Sequence, residues 1–565
     1  MTCQAGPGRS VSPTPPPSGG TLFVANDPSP VRREPHQHAC SPNCGRSLHV
    51  QKTVTRTVWN ADGPLPVTEV VLHCPKHHRR VFAPDPLTPP KSIYTFDLIA
   101  RVGQRRFLAH RQFPEIEEEL TERGVRVPVR TLQWLADRYV LYTTAVHLES
   151  LATLARKLQE QQGGYVLLID GTGKAGRMTL QLTDGWSGVV LLSATIPAES
   201  RIAIVPVLRR LDALLGAPVA AVRDMSQGID QALREVWPGL LILTCHMHFL
   251  RAEGLKLFDR LYPRFRLTVN RRGVKTRFFA LRKRLRREKG PSREAQQTLA
   301  WVEEILAYRK AGQGLSYPFF LAEVEFYRRC ETVWRALRRV LSRPGRRGRG
   351  APYRKLEGIL ERLLGPRPGN RQLAETCVKL EERWHWFQRL RRVLRFRNGP
   401  IPLDTEGHLP EEELEKGRRK LDGFVGKAER LPLSERALRN DLAKVVRDLK
   451  ERREELFAPN VVVMARGRRV VRAVPRTTAW AEGRFRKLRR HGRRIKGNSE
   501  VEALVQREGP GLLLMDNLRS PSYVRCVYGS LFRQGTRFAR VTEQALATAK
   551  VLTGLSGESP MVGNH

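Results

Sequence analysis

The sequence predicts a multidomain α/β protein: a mixed-sheet core followed by a long all-α stretch, and preceded by a zinc β-ribbon and a helix-turn-helix unit. Three observations predict it. The chain has 565 residues, too many for one core at roughly 150 residues per domain. Residues 164–258 alternate short apolar runs with helical periodicity, the pattern of a sheet flanked by helices. Residues 259–474 read as basic helices separated by breaker-rich loops such as "SRPGRRGRGAP".

Residues 1–35 are rich in Pro, Ser and Gly and poor in aromatics, so a disordered tail is expected. Between 36 and 85, "LHVQKTVTRTVW" and "VTEVVLHC" alternate with period two around the turn-forming pair Asp62-Gly63, which gives a hairpin. The hairpin lies between Cys40-x3-Cys44 and Cys74-x2-His77, the spacing of a Cys3His zinc ribbon. Thiolate and neutral imidazole suit tetrahedral Zn2+, and a closed four-ligand site would be structural. His78 is an alternative to His77, with His36, His38 and His73 close in sequence. The competing reading is a chance cluster of thiols in a loop-rich segment.

In residues 93–147, Pro114 sits where a helix begins, Gly124 where it ends, and Pro128 opens a second helix with Leu132, Leu135 and Tyr139 on one face. Two short helices around a tight turn suggest a DNA-binding helix-turn-helix, with Arg126, Arg130, Gln133 and Arg138 as candidate DNA contacts. An ordinary helical hairpin is the plainer alternative.

Within 164–258, "YVLLID", "MTLQL" and "VVLLSAT" read as a meander, followed by β-α-β alternation through "VAAVRD" and "LLILTC". "GYVLLIDGTGK" lacks the glycine and the hydroxyl residue of a Walker loop, so its notable residue is Asp170. Asp224 ends a later strand. If the two strands are neighbours, about 4.8 Å apart, both carboxylates leave one sheet edge and can share hard cations. Alternatively each acid caps the following turn.

Between Glu455 and Glu500 there are 13 Lys or Arg residues and a single acid, Glu482. Either it pairs with Arg486 one turn on, or its helix returns to the sheet and delivers a third carboxylate. The last segment of the core is expected over 475–545, with a flexible tail over 546–565.

Composition agrees with a polyanionic partner. Lys and Arg number 99 against 56 acids, a formal charge of +43 spread over most of the chain, and nucleic acid is the commonest polyanion. No apolar run approaches the roughly 20 residues of a membrane helix, so no membrane partner is expected. The eight cysteines are too few and scattered for a disulfide framework, which favours a reducing, cytoplasmic setting.

Asp170, then Asp224 with a helix ending "REVWPG", then Cys245-x2-His248, then a long helical stretch before Glu482 in "RTTAWAEGRFRKLRRHGRRIKG", resembles the DDE transposases of the Mutator-like type and their bacterial insertion-sequence relatives, over about residues 164–520. The resemblance implies a ribonuclease H-like catalytic core with an all-helical insertion between the second aspartate and the glutamate. It implies that Asp170, Asp224 and Glu482 bind two Mg2+ (or Mn2+) ions as the catalytic triad, with Glu500 and Glu502 as competitors for the third place. Cys245 and His248 match the family's Cys-x2-His motif; alone they make an incomplete zinc site, and orientation or packing behind the active site is the favoured role. The implied partners are transposon-end and target DNA, bound by a homo-oligomer on paired ends, in a cytoplasmic, nucleoid-associated protein. Two other classes compete: a transposase-derived DNA-binding regulator without catalysis, and a ribonuclease H-like structure-specific nuclease.

Overall fold

The computed structural model describes residues 31–36, 44–174, 176–342, 350–394, 411–432, 436–497 and 500–554. It is a multidomain α/β protein in which helices predominate. At the N-terminus, β1 (Val31–Arg33), β2 (His49–Asn60), β3 (Gly63–His73) and β4 (Arg80–Val81) form one sheet in the order β1-β3-β2, with β4 also on β3. The β2–β3 pair is the expected hairpin, closed by Ala61 and Asp62 between Asn60 and Gly63. Within the tail expected through residue 35, Val31–Arg33 is instead a strand, paired in parallel with Val67–Glu69. Residues 1–30 lie outside the described residues.

Three helices follow: α1 (Phe96–Gly103), α2 (Phe113–Thr121) and α3 (Val129–Gln162). Pro114 lies in the first turn of α2 and Gly124, at φ 75°, follows its end. The boundary expected at 147 falls inside α3, which continues to a left-handed Gly163. Its physical reason is plain in the sequence: no breaker interrupts 129–162, and Val146, Leu151, Leu154 and Leu158 prolong the buried stripe begun by Leu132, Leu135 and Tyr139. These helices are therefore no free-standing module; their apolar residues share one core with the central sheet. Gly103 of α1 packs so tightly on Tyr139 that a Cβ there would lie 1.9 Å from the ring.

The central sheet comprises β5 (Val166–Lys174), β6 (Arg177–Asp184), β7 (Val190–Ile196), β8 (Ala220–Arg223) and β9 (Ile242–Thr244), in the order β7-β6-β5-β8-β9. The meander β5-β6-β7 is antiparallel, and β8 and β9 run parallel to β5. Helices α4 (Arg201–Leu215) and α5 (Gln227–Val236) provide the crossovers and bury Ile204, Leu208, Leu211, Ile229 and Leu233 against one face.

A helical body with its own core then departs from the sheet edge: α6 (His246–Phe258), α7 (Tyr262–Arg271), α8 (Val274–Arg287), α9 (Arg293–Leu306), α10 (Ala322–Leu341), α11 (Ala351–Leu364), α12 (Pro368–Val393), α13 (Glu411–Glu429), α14 (Arg436–Glu451) and α15 (Arg453–Leu456). Its packing begins ahead of the expected boundary at 259, since Phe249, Leu250, Leu257 and Phe258 of α6 already belong to it. Residues 461–472, expected to be helical, instead form a hairpin of β10 (Val461–Ala465) and β11 (Arg468–Arg472). Valine-rich runs flank Arg466 and Gly467, both at positive φ, which suits a tight hairpin turn. The chain then returns through α16 (Ala479–Lys496). Residues 546–553, expected in a flexible tail, belong instead to the helix Glu543–Thr553, which packs Ala545 and Ala549 on Leu141 and Ala145 of α3; residues 555–565 lie outside the described residues.

Candidate active site

The strands β5 and β8 are neighbours, with Val166 opposite Ala220, Leu167 opposite Ala221 and Leu168 opposite Val222. Two residues beyond the last of these pairs come Asp170 and Asp224, at the same level of adjacent parallel strands. The pleat sets their direction. Val166, Leu168, Ala220, Val222, Leu243 and Cys245 share one buried cluster on one face of the sheet, and a period of two places Asp170 and Asp224 on that face also. Asp224 also caps its turn, accepting the Ser226 N–H at 2.9 Å.

Cys245 is the N-cap of α6 and is fully buried. Its Sγ accepts the Thr478 N–H at 3.3 Å and stands 3.6 Å from the Thr478 hydroxyl. Thr478 is in turn the N-cap of α16, the helix that carries Glu482 in its first turn. One turn into α6, His248 Nε2 lies 3.5 Å from Glu482 Oε1. The Cys-x2-His spacing thus matches the distance from the cap of α16 to its acid, so two helix N-termini are pinned to each other. The ion-pair partner of Glu482 among the described residues is His248, not Arg486. Of the competing acids, Glu500 is exposed at the start of the next helix, and the Glu502 side chain lies outside the described residues.

A fourth carboxylate joins the site that motif reading did not find. Glu199, in the turn between β7 and α4, approaches Gly171 so closely that a Cβ there would lie 2.9 Å from its Oε1. Its carboxyl is pushed up by burial and by Asp224, against the Ser226 hydroxyl and His248. The sequence signal was a glycine directly after Asp170, within β5, which leaves room for a neighbouring side chain.

The charges interact as a unit. Burial pushes Asp170 up to about 7, with the His248 imidazole opposing and Asp224 and Glu482 reinforcing the rise. Burial would depress His248, but the Cys245 thiol, Asp170 and Glu482 outweigh it and hold the imidazole up at about 9. These carboxylates therefore crowd negative charge that a single imidazolium only partly offsets. An all-oxygen anionic donor set of this kind suits Mg2+ or Mn2+.

Behind the site, Arg223 is buried and bonds Asp230 at 2.6 Å and Glu455 at 3.1 Å, and the Thr244 hydroxyl donates to Glu455 at 2.5 Å. Glu455 belongs to α15, so this network fixes the end of the helical body beside Asp224.

A separate cluster lies in the N-terminal sheet. Ligand atoms of Cys44, Cys74 and His77 all lie within 4.8 Å of one another, with His77 Nδ1 3.8 Å from Cys74 Sγ. Two sulfurs and an imidazole fit Zn2+. Cys40, expected as the fourth ligand, lies outside the described residues. His78 adopts a positive φ and packs its ring on His73.

Of the four candidate DNA contacts, Arg126 and Arg130 are exposed. Gln133 donates to Asp137 at 2.8 Å. Arg138 is a correction: it is buried, its guanidinium lies 5.0 Å from the Trp134 ring centre, and it faces the core because residue 138 falls on the inward stripe of α3. No helix among the described residues is long and apolar enough to cross a membrane. Compared with known proteins, the chain matches no family model and no curated sequence.

Proposed function

We propose that the chain is a DDE-type DNA transposase, cutting phosphodiester bonds at transposon ends and joining them to target DNA, and that its central sheet is a ribonuclease H-like core. The observation that carries this reading is the level placement of Asp170 and Asp224 on adjacent parallel strands, with Glu482 brought to the same edge by Cys245 and His248. The mixed five-stranded sheet and the helical body inserted before Glu482 support it. So does the basic surface of α8, where arginines and lysines face solvent around the buried Phe278, Leu281 and Leu285.

Asp170, Asp224 and Glu482, with Glu199 beside them, would hold two Mg2+ or Mn2+ ions. When bound, such ions lower the pKa of an attacking water or 3′-hydroxyl and stabilise the leaving oxygen. The protein's own part is placement. Asp170 and Asp224 are placed by neighbouring strands of the sheet, on the face that buries Val166, Leu168, Ala220 and Val222, and Glu482 is held by the clamp from α6. Exposed arginines of α16 stand ready for the phosphates that flank the scissile bond. The retained acids and their intact clamp favour a cutting enzyme over a regulator that has lost catalysis.

In the N-terminal sheet, Cys44, Cys74 and His77, completed by Cys40, would hold one structural Zn2+ in a DNA-binding ribbon.

The deciding experiment is Mg2+- or Mn2+-dependent cleavage of DNA carrying the inverted repeats that flank the gene. Asp170→Ala and Asp224→Ala should abolish it while leaving DNA binding intact; undiminished cutting by both would overturn the assignment.

A further inference from the structure

Away from the acids, the helical body contains a groove of about 640 Å3 between α10 and the α11–α12 turn. Its lining includes Trp334 and Arg335 of α10, Arg367 in the turn, and Asn370 and Arg371 at the start of α12. We propose that this groove takes one unpaired nucleotide of a DNA strand, base on Trp334 and phosphate on the arginines.

Four features converge. Trp334 supplies an aromatic face, and Arg338 already stacks 5.0 Å from the ring centre, so the indole is held by a cation on one side. Arg335, Arg367 and Arg371 bring positive charge, while Glu331, the one acid among the described lining residues, is held by Arg328 at 2.5 Å. Among the described residues Arg371 makes an exposed ion pair with Glu375, which solvent weakens. Asn370 is the built element. It is 3 % exposed, and its Nδ2 donates to Gly365 O at 3.1 Å, which fixes the amide orientation. Its Oδ1 is then left buried with no hydrogen-bond partner among the described residues. A buried acceptor without a donor is costly, which marks Asn370 as a polar point of the groove wall with unused hydrogen-bonding capacity.

The chemistry asked for is a planar, hydrogen-bonding ring joined to an anion. Fully paired duplex does not offer it, because its bases are stacked on each other and their edges are paired. An unpaired nucleotide at a strand end or flap does. Strand cutting and joining generate such ends, so the inference deepens the reading of the chain as a DNA-processing enzyme and rests on it.

The test compares a labelled blunt duplex with the same duplex carrying a 3′ tail of about ten unpaired nucleotides, a length typical of single-strand sites. The wild-type chain should prefer the tail by about ten-fold, the size of one base–aromatic stack. Trp334→Ala and the Arg335→Ala, Arg367→Ala double variant should lose that preference but keep blunt-duplex affinity, and Trp334→Phe should retain most of it. Asp170→Ala should keep the preference while losing cleavage, so failure of the active-site reading and failure of the groove are distinguishable. Equal tail preference in wild type and Trp334→Ala overturns the proposal. So does a groove that free deoxyadenosine monophosphate saturates with no tail preference, which would make the ligand a free nucleotide.

Discussion

His248 Nε2 and Glu482 Oε1 stand 3.5 Å apart across the junction of two helix N-termini, three residues after Cys245 has bound the cap of the second helix. This relationship gives the Cys-x2-His motif a mechanical role: it positions an acid that belongs to a helix more than 200 residues away in sequence. Cys245→Ala and His248→Ala should therefore slow cleavage by about 100-fold through misplacement of Glu482. DNA affinity should change little, and Cys245→Ser, which keeps a hydrogen-bond acceptor, should recover part of the rate. A cleavage rate equal to wild type in both alanine variants would show that the clamp does not act through Glu482.

Glu199 stands beside Gly171 and Asp224 without belonging to any motif. Glu199→Gln keeps its size and removes its charge. The Mg2+ concentration for half-maximal cleavage should rise about ten-fold, the scale of an altered metal environment. Gly171→Ala should act in the same direction, because its Cβ would push the Glu199 carboxylate aside. Metal titrations of the two variants that overlay the wild type would remove Glu199 from the site.

The strands of the central sheet were readable as short apolar runs, such as "VLLI" just before Asp170, and the N-terminal hairpin by its period-two alternation. The alignment of Asp170 with Asp224 was not readable, since it depends on which strands pair and in what register. Glu199 stayed hidden for a similar reason: a lone acid in a turn after β7 is ordinary until the fold places Gly171 under it. Arg138 misled in the opposite way. Its charge suggested solvent, yet α3 continues as a core helix and Trp134 covers the guanidinium. The β10–β11 hairpin was masked by the arginines around it, which made 461–472 look like more of the basic helical stretch.

If Cys44, Cys74 and His77 hold zinc as proposed, the purified chain should contain about one zinc. Cys74→Ser and His77→Ala should lose the metal and lower the unfolding temperature of the N-terminal sheet, whereas His78→Ala should retain it, since His77 Nδ1 is the imidazole atom beside Cys74. Elemental analysis separates these outcomes, and zinc retained by His77→Ala would move the ligand to His78.

Exposed and buried arginines of the N-terminal helices should behave differently. Arg126→Ala and Arg130→Ala should each weaken DNA binding and reduce the slope of log affinity against log salt by about 1. Arg138→Ala should leave that slope unchanged and lower stability, because it empties a buried position against Trp134. Salt titrations of binding, paired with denaturation curves, check both halves.

Acid stability follows from two buried histidines. His147 Nδ1 lies 2.8 Å from the Tyr523 hydroxyl and its Nε2 lies 2.9 Å from Leu191 O, so the ring is neutral and both nitrogens are engaged. Burial depresses it to about 4, against the bond to Leu191. His246 is likewise depressed to about 4, by burial and then by Arg476, against its backbone bonds to Leu456 and Leu394. A depressed histidine takes up its proton first in the unfolded chain. The stability each contributes is therefore complete above the unfolded value near 6.5 and is lost as pH falls from there to about 4. Each site is worth up to roughly 3 kcal/mol over that window. The urea midpoint should fall steeply between pH 6.5 and 4.5, and His147→Gln, destabilised at neutral pH, should show a shallower fall. A slope against pH identical to wild type in that variant would show that His147 keeps its proton equilibrium on unfolding.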